Sequence, residues 1–161
     1  MGEYDGCDIM AAWKAIDELL ALRALAPIIA SKAAYSPFRG YMHQQHKRLL
    51  GLRGQKNVTR PELVKAYGYD TKYAGHPIQL GCQGAEFLST GRITLPMRDD
   101  ERTLVLKVRT GAFSLAEVSA LINEAEVKLD DAHASSTLQD EPDTQAVEAW
   151  MLQTYLTHWN R

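Results

Sequence analysis

The stretch that most constrains this chain runs from Tyr69 to Gly91, a helical pattern closed at both ends by residues suited to helix termini. Asp70 is placed to cap, because its carboxylate can accept from backbone N–H groups two and three residues on that have no partner inside the helix. Gly91 enters a left-handed turn without steric cost and suits the exit. A helix is therefore predicted between them, with Pro77 removing one backbone hydrogen bond and kinking the axis unless the helix begins later. Lys72, His76, Gln79, Gln83 and Glu86 recur at steps of four and three residues, which places them on one face. Ala74, Ile78, Leu80, Cys82, Ala85, Phe87 and Leu88 fall mostly elsewhere and are available for burial. A cation, an imidazole, two amides and a carboxylate in one row fit a polyanionic ligand, and fit an ordinary solvated face equally well.

Helical patterns flank this element on both sides. Ile9, Trp13, Ile16 and Leu20 predict a first helix, broken near Pro27 and followed by a shorter piece from Pro27 to Ala34. Ser36-Pro37 reads as an N-cap and first helical residue, starting a helix from Phe38 to about Leu52 that ends at Gly51 or Gly54. A polar loop over residues 53–59 leads to a short helix from Pro61 to Tyr67. Residues 92–95, Arg-Ile-Thr-Leu, are the one place for a short β segment. Asp99 to Val108 reads as a helix, with acids at its start and Gly111 at its exit. Ser114 and Glu117 form a capping box that secures a helix from Leu115 to about His133. The last helix starts at Asp143 or Thr144 and should bury Val147, Trp150, Met151, Tyr155 and Trp159. The predicted fold is mainly α, a multi-helix bundle-like domain over residues 9–161 behind a loosely ordered start at residues 1–8.

A chain of 161 residues is about one domain. Its formal charge of -2 gives no global field toward nucleic acid or membrane, but the charge is unevenly spread. Arg39, Lys47, Arg48, Arg53, Lys56, Arg60, Lys65 and Lys72 face only Glu62 and Asp70 between residues 36 and 80, and the last fifty residues are mostly acidic. An anionic ligand therefore belongs in the middle. Cys7 and Cys82 are far apart, nothing at the start reads as a signal peptide, and no apolar run has the length of a bilayer crossing. These features predict reduced thiols, a cytoplasmic setting and no membrane partner.

The side chains that usually announce chemistry are sparse. His43 and His46 share a helix face but have no Cys or carboxylate at ligand spacing, so no metal site is predicted. Two helices followed by Ile-Thr-Leu suggest a winged helix that binds DNA. The second helix, however, begins at Asp70 and carries Glu86, a poor surface for a major groove.

Six ordered motifs carry a resemblance: Phe38-Arg-Gly-Tyr-Met-His-Gln-Gln, Leu50-Gly-Leu-Arg-Gly-Gln-Lys, Tyr67-Gly-Tyr-Asp-Thr-Lys-Tyr-Ala-Gly-His, Gly84-Ala-Glu-Phe-Leu-Ser-Thr-Gly-Arg-Ile-Thr-Leu-Pro, Val108-Arg-Thr-Gly and Asp140-Glu-Pro-Asp. From about residue 22 onward the chain resembles the C-terminal helical half of nucleotidyltransferases of the DNA polymerase β superfamily, in particular the RNA-ligase-associated group of bacteria and their phages. The resemblance implies a ligand-facing role for Lys72 and His76, with Asp70 beside them, toward a triphosphate or an acceptor. Gln79 stands where the family often has arginine, and Arg39, Arg109 and Glu86 also match.

In that superfamily a Gly-Ser turn cradles phosphates, and an Asp-x-Asp pair with a third carboxylate holds Mg²⁺ ions in an N-terminal domain. This sequence has neither the turn nor the Asp-x-Asp pair, so no catalytic residue is assigned and the chain alone is expected to be inactive. Mg²⁺ with a nucleoside triphosphate is expected only if a catalytic-domain protein is supplied in trans. The expected partners are a nucleotide or RNA end, that catalytic protein, or a second copy covering an apolar patch at Trp13, Leu19, Leu20 and Leu22. The alternatives are a non-enzymatic helical protein-interaction module and the winged-helix DNA binder.

Overall fold

In a computed structural model of the chain, the residues described are 23, 25–52 and 60–159. The expectations for residues 1–22 and for the polar loop at 53–59 lie outside them. The fold is mainly α, and among the described residues it contains no β-strand. In chain order the helices are α1 (Ala26–Ile29), α2 (Tyr35–Leu49), α3 (Pro61–Tyr67), α4 (Thr71–Thr90), α5 (Asp99–Arg109), α6 (Leu115–Ser135) and α7 (Thr144–Trp159), with a 3₁₀ turn at Lys32–Ala34. They form two compact units: one is residues 31–140, the other residues 1–30 with 141–161. None of these helices is long and apolar enough to cross a membrane.

The larger unit is built around α4. Asp70 caps it, accepting from the backbone N–H groups of Lys72 and Tyr73. Gly91 ends it at φ 70°, in the left-handed region. Pro77 lies inside this helix and is buried, since α4 already begins at Thr71. Near the N-terminal end, Ala74 and Ile78 pack with Tyr69, with Val105 and Val108 of α5, and with Val118 and Ile122 of α6. Toward the other end, Leu88 packs with Met42 of α2 and with Ala125, Leu129 and Ala132 of α6. Neighbouring helices can approach this closely because α4 carries glycine where they cross. A Cβ on Gly81 would stand 2.8 Å from the Ala125 Cβ and 3.0 Å from the Ala125 carbonyl oxygen. On Gly84 it would stand 2.7 Å from Leu129 Cδ1 and 2.9 Å from the Phe38 ring.

Several local expectations are corrected. The short helix predicted from Pro27 to Ala34 is two pieces, because Ala30 and Ser31 are extended and Ser31 forms an isolated parallel bridge with Gln139. Helix α2 starts at Tyr35 rather than Phe38, since the 3₁₀ turn runs directly into it; Ser36 and Pro37 fall in its first turn and no side chain caps it. Residues 92–94 take no regular structure, so the wing of a winged-helix reading is not built there. The Ser114–Glu117 capping box forms in full, with the backbone of each residue donating to the side chain of the other.

In the smaller unit α7 buries none of its residues, against the expected buried line. Val147 and Trp150 are half-buried, while Met151, Tyr155 and Trp159 are exposed, Trp159 to 74%. Among the described residues of its unit, its neighbour α1 is a helix of 4 residues, too short to cover one of 16.

Candidate functional site

On one side of α4 the larger unit opens into a cleft of about 240 Å³. Helix α4 supplies one wall with Lys72, Tyr73, Gly75, His76 and Gln79. Tyr41, Gln45 and Arg48, four and three residues apart on α2, form the facing wall. Arg60, just before α3, and Arg109, at the end of α5, close the sides.

Four cations therefore converge on one small volume. Arg60 is neutralised: its Nη1 donates to both carboxylate oxygens of Asp70, at 2.9 and 2.8 Å, and its guanidinium sits 5.2 Å from the centre of the Tyr73 ring. Arg48, Lys72 and Arg109 are exposed and pair with no carboxylate among the described residues. Arg109 reaches the cleft because its aliphatic stem lies across Gly75, where α4 has no side chain in the way. His76 packs edge-on with Tyr41, ring centres 5.5 Å apart. Burial, then the positive charges of Arg109 and Lys72, hold the His76 imidazole below its ordinary pKa of 6.5, so it is neutral at pH 7. The cleft thus offers charge-assisted donors at its edge and neutral hydrogen-bonding groups, Gln45, Gln79 and His76, farther in.

The residues singled out from the sequence divide into two groups. Lys72, His76, Gln79 and Arg109 line the cleft together, and Asp70 stands behind it, occupied by Arg60 and by the end of α4. The α4 row parts after Gln79: Gln83 and Glu86 are not in the cleft wall. Glu86 instead accepts from the backbone N–H and hydroxyl of Thr94, and these bonds lower its carboxyl pKa. Arg39 also lies away from the cleft. It joins α2 to α6 through Glu126 and Asp130, each at 3.0 Å, and Tyr35 donates to the same Asp130.

Sequence reasoning missed Tyr41, Gln45 and Tyr73 as site residues, and read Arg48 and Arg60 only as part of the basic middle. The spacing of Tyr41, Gln45 and Arg48 along one helix face was the available signal.

Among the described residues no group of three His, Cys, Asp or Glu side chains could hold a metal ion. The cleft lining contains no carboxylate, and Asp70 beside it is committed to Arg60 and the start of α4, so these residues do not fit paired Mg²⁺ ions, which the family resemblance places in an N-terminal domain. The Cys82 thiol is pushed up to about 11, chiefly by burial, which leaves it a poor nucleophile. Comparison with the profiles of known families, with curated proteins and with solved structures finds no match.

Proposed function

We propose that the unit of residues 31–140 binds a phosphate-bearing ligand, a nucleotide or the end of an RNA, as the helical region of a nucleotidyltransferase-like protein. One observation carries the reading: Arg48, Lys72 and Arg109 line the same cleft with no carboxylate partner among the described residues. Unpaired cations brought together repel one another, and an anion between them relieves that repulsion. The cleft, at about 240 Å³, lies just below the usual range of roughly 300–1,000 Å³ for ligand pockets, which suits part of one nucleotide or a strand terminus rather than a larger ligand. Its chemistry is recognition. Metal-dependent transfer would be supplied by a catalytic protein in trans.

Calorimetric titration with nucleoside triphosphates, with and without Mg²⁺, tests this reading. Saturable binding that needs no metal and weakens steeply with added salt supports it, whereas a folded protein that binds none of them contradicts it.

A second reading, self-association of a protein-interaction module, is favoured by α7, whose Leu152, Tyr155 and Trp159 are 60%, 51% and 74% exposed. Sedimentation at several concentrations separates it from the first, because a monomer throughout excludes a second copy on that face.

A further inference from the structure

The cleft is graded in polarity. Its unpaired cations are exposed, and its most buried polar side chain is uncharged: Gln45, on α2, is 3% exposed and lines the cleft. No hydrogen bond engages its side-chain amide among the described residues. Among the described residues the shielded side-chain atoms without a partner are His46 Nε2 and Glu126 Oε1, so the Gln45 amide keeps access to the cleft, where a ligand can take the place of water as its partner. Gln79, on the opposite wall, is half-buried and likewise without a hydrogen bond among the described residues.

The amide group also restricts what that partner is. A glutamine side chain presents an acceptor oxygen beside donor N–H groups in one plane. A fully ionised phosphate has only acceptors and would leave the amide oxygen unpaired. A nucleobase edge carries a donor next to an acceptor with matching spacing and planarity, and glutamine pairs with such edges through two hydrogen bonds. Tyr41 adds an apolar surface where a base is wanted: its ring lines the same cleft, is 46% exposed, and is held edge-on by His76. The gradient sets the direction of entry, base toward Gln45 and phosphates toward Arg48, Lys72 and Arg109.

We propose that Gln45 is a specificity-determining residue that reads the base edge of a nucleoside phosphate, so that the cleft selects nucleotides over other polyphosphates. This deepens, and rests on, the reading of the cleft as a phosphate-ligand site. Ribose hydroxyls also donate and accept, but they offer nothing to stack on Tyr41, so a sugar phosphate is the control that separates the two chemistries.

The test is a titration of the full chain with tripolyphosphate, ribose 5-phosphate and each of the four ribonucleoside triphosphates. At least one nucleotide should bind roughly ten- to a hundredfold more tightly than tripolyphosphate, the worth of one two-bond amide–base pair. Gln45→Met and Gln45→Leu, both close in size to glutamine, should erase that advantage and leave tripolyphosphate binding unchanged. In the unaltered protein, the Gln45 side-chain NH₂ resonance should shift on adding the preferred nucleotide and stay in place with tripolyphosphate, a readout that needs no variant. Equal affinity for tripolyphosphate and every nucleotide, or a preference that survives both substitutions, overturns the role of Gln45 while leaving a phosphate site intact. Preference for ribose 5-phosphate at the level of the nucleotides assigns Gln45 to the sugar and overturns base reading. Binding of none of them removes the phosphate site itself, and this inference with it.

Discussion

Arg109 lies across Gly75, its Cγ 2.8 Å from the point at which a Cβ on that glycine would stand. The contact joins the end of α5 to the first half of α4 and directs a guanidinium into the cleft. Gly75→Ala would force the Arg109 side chain to turn away. Helix propensity gains about 0.5–1 kcal/mol from the same change, so stability should move little. Anion affinity should fall by roughly tenfold, as for loss of one charge-assisted hydrogen bond. Parallel urea unfolding and tripolyphosphate titration check this; unchanged affinity would place the Arg109 head group outside the ligand's reach.

Asp70 both caps α4 and pairs with Arg60, with its side chain 7% exposed and that of Arg60 24% exposed. Asp70→Ala removes both interactions and leaves a largely buried guanidinium unpaired. It should cost about 2–4 kcal/mol, more than an N-cap alone. Asp70→Asn keeps a capping oxygen and should cost less. Equal losses in the two variants, measured by chemical denaturation, would mean that the Arg60 pair contributes most of the effect.

The features legible in the sequence were those fixed by near neighbours. Asp70 and Gly91 bound α4 because a cap and a left-handed exit act within one helical turn, and the Ser114–Glu117 box is local for the same reason. Features set by remote partners were not legible. Gly81 and Gly84 do not reveal in sequence that Ala125 and Leu129 cross there. Arg39 reads as a free cation until Glu126 and Asp130 are seen against it, and Glu86 reads as a ligand group until Thr94 folds back onto it. Helical periodicity grouped Lys72, His76 and Gln79 correctly on a face but gave no facing wall, which comes from Tyr41, Gln45 and Arg48. The buried line expected for α7 failed because an apolar pattern shows that cover is wanted, without showing that the described residues of its unit provide it.

The histidines set a pH dependence of definite sign. His76 and His46 both titrate below the ordinary 6.5, in each case with burial as the largest cause. Below pH 6.5 the unfolded chain binds protons that the folded chain refuses, so this contribution is complete above 6.5 and is lost as pH falls through the lowered folded values. Stability should therefore drop between pH 7.5 and 5.5, and His76→Gln should make the drop smaller. Urea midpoints at the two pH values decide it; an identical drop in the variant would mean that His76 takes up its proton as readily folded as unfolded.

The most direct test of the cleft is titration of the wild-type chain and Lys72→Ala with labelled nucleoside triphosphates at low salt. Lys72 is exposed and has no ion pair among the described residues, so its loss leaves the fold intact and removes one phosphate contact. The wild type should bind saturably, and the variant about tenfold or more weakly. A well-folded wild type that binds no triphosphate, or a variant that binds as tightly as the wild type, would contradict it.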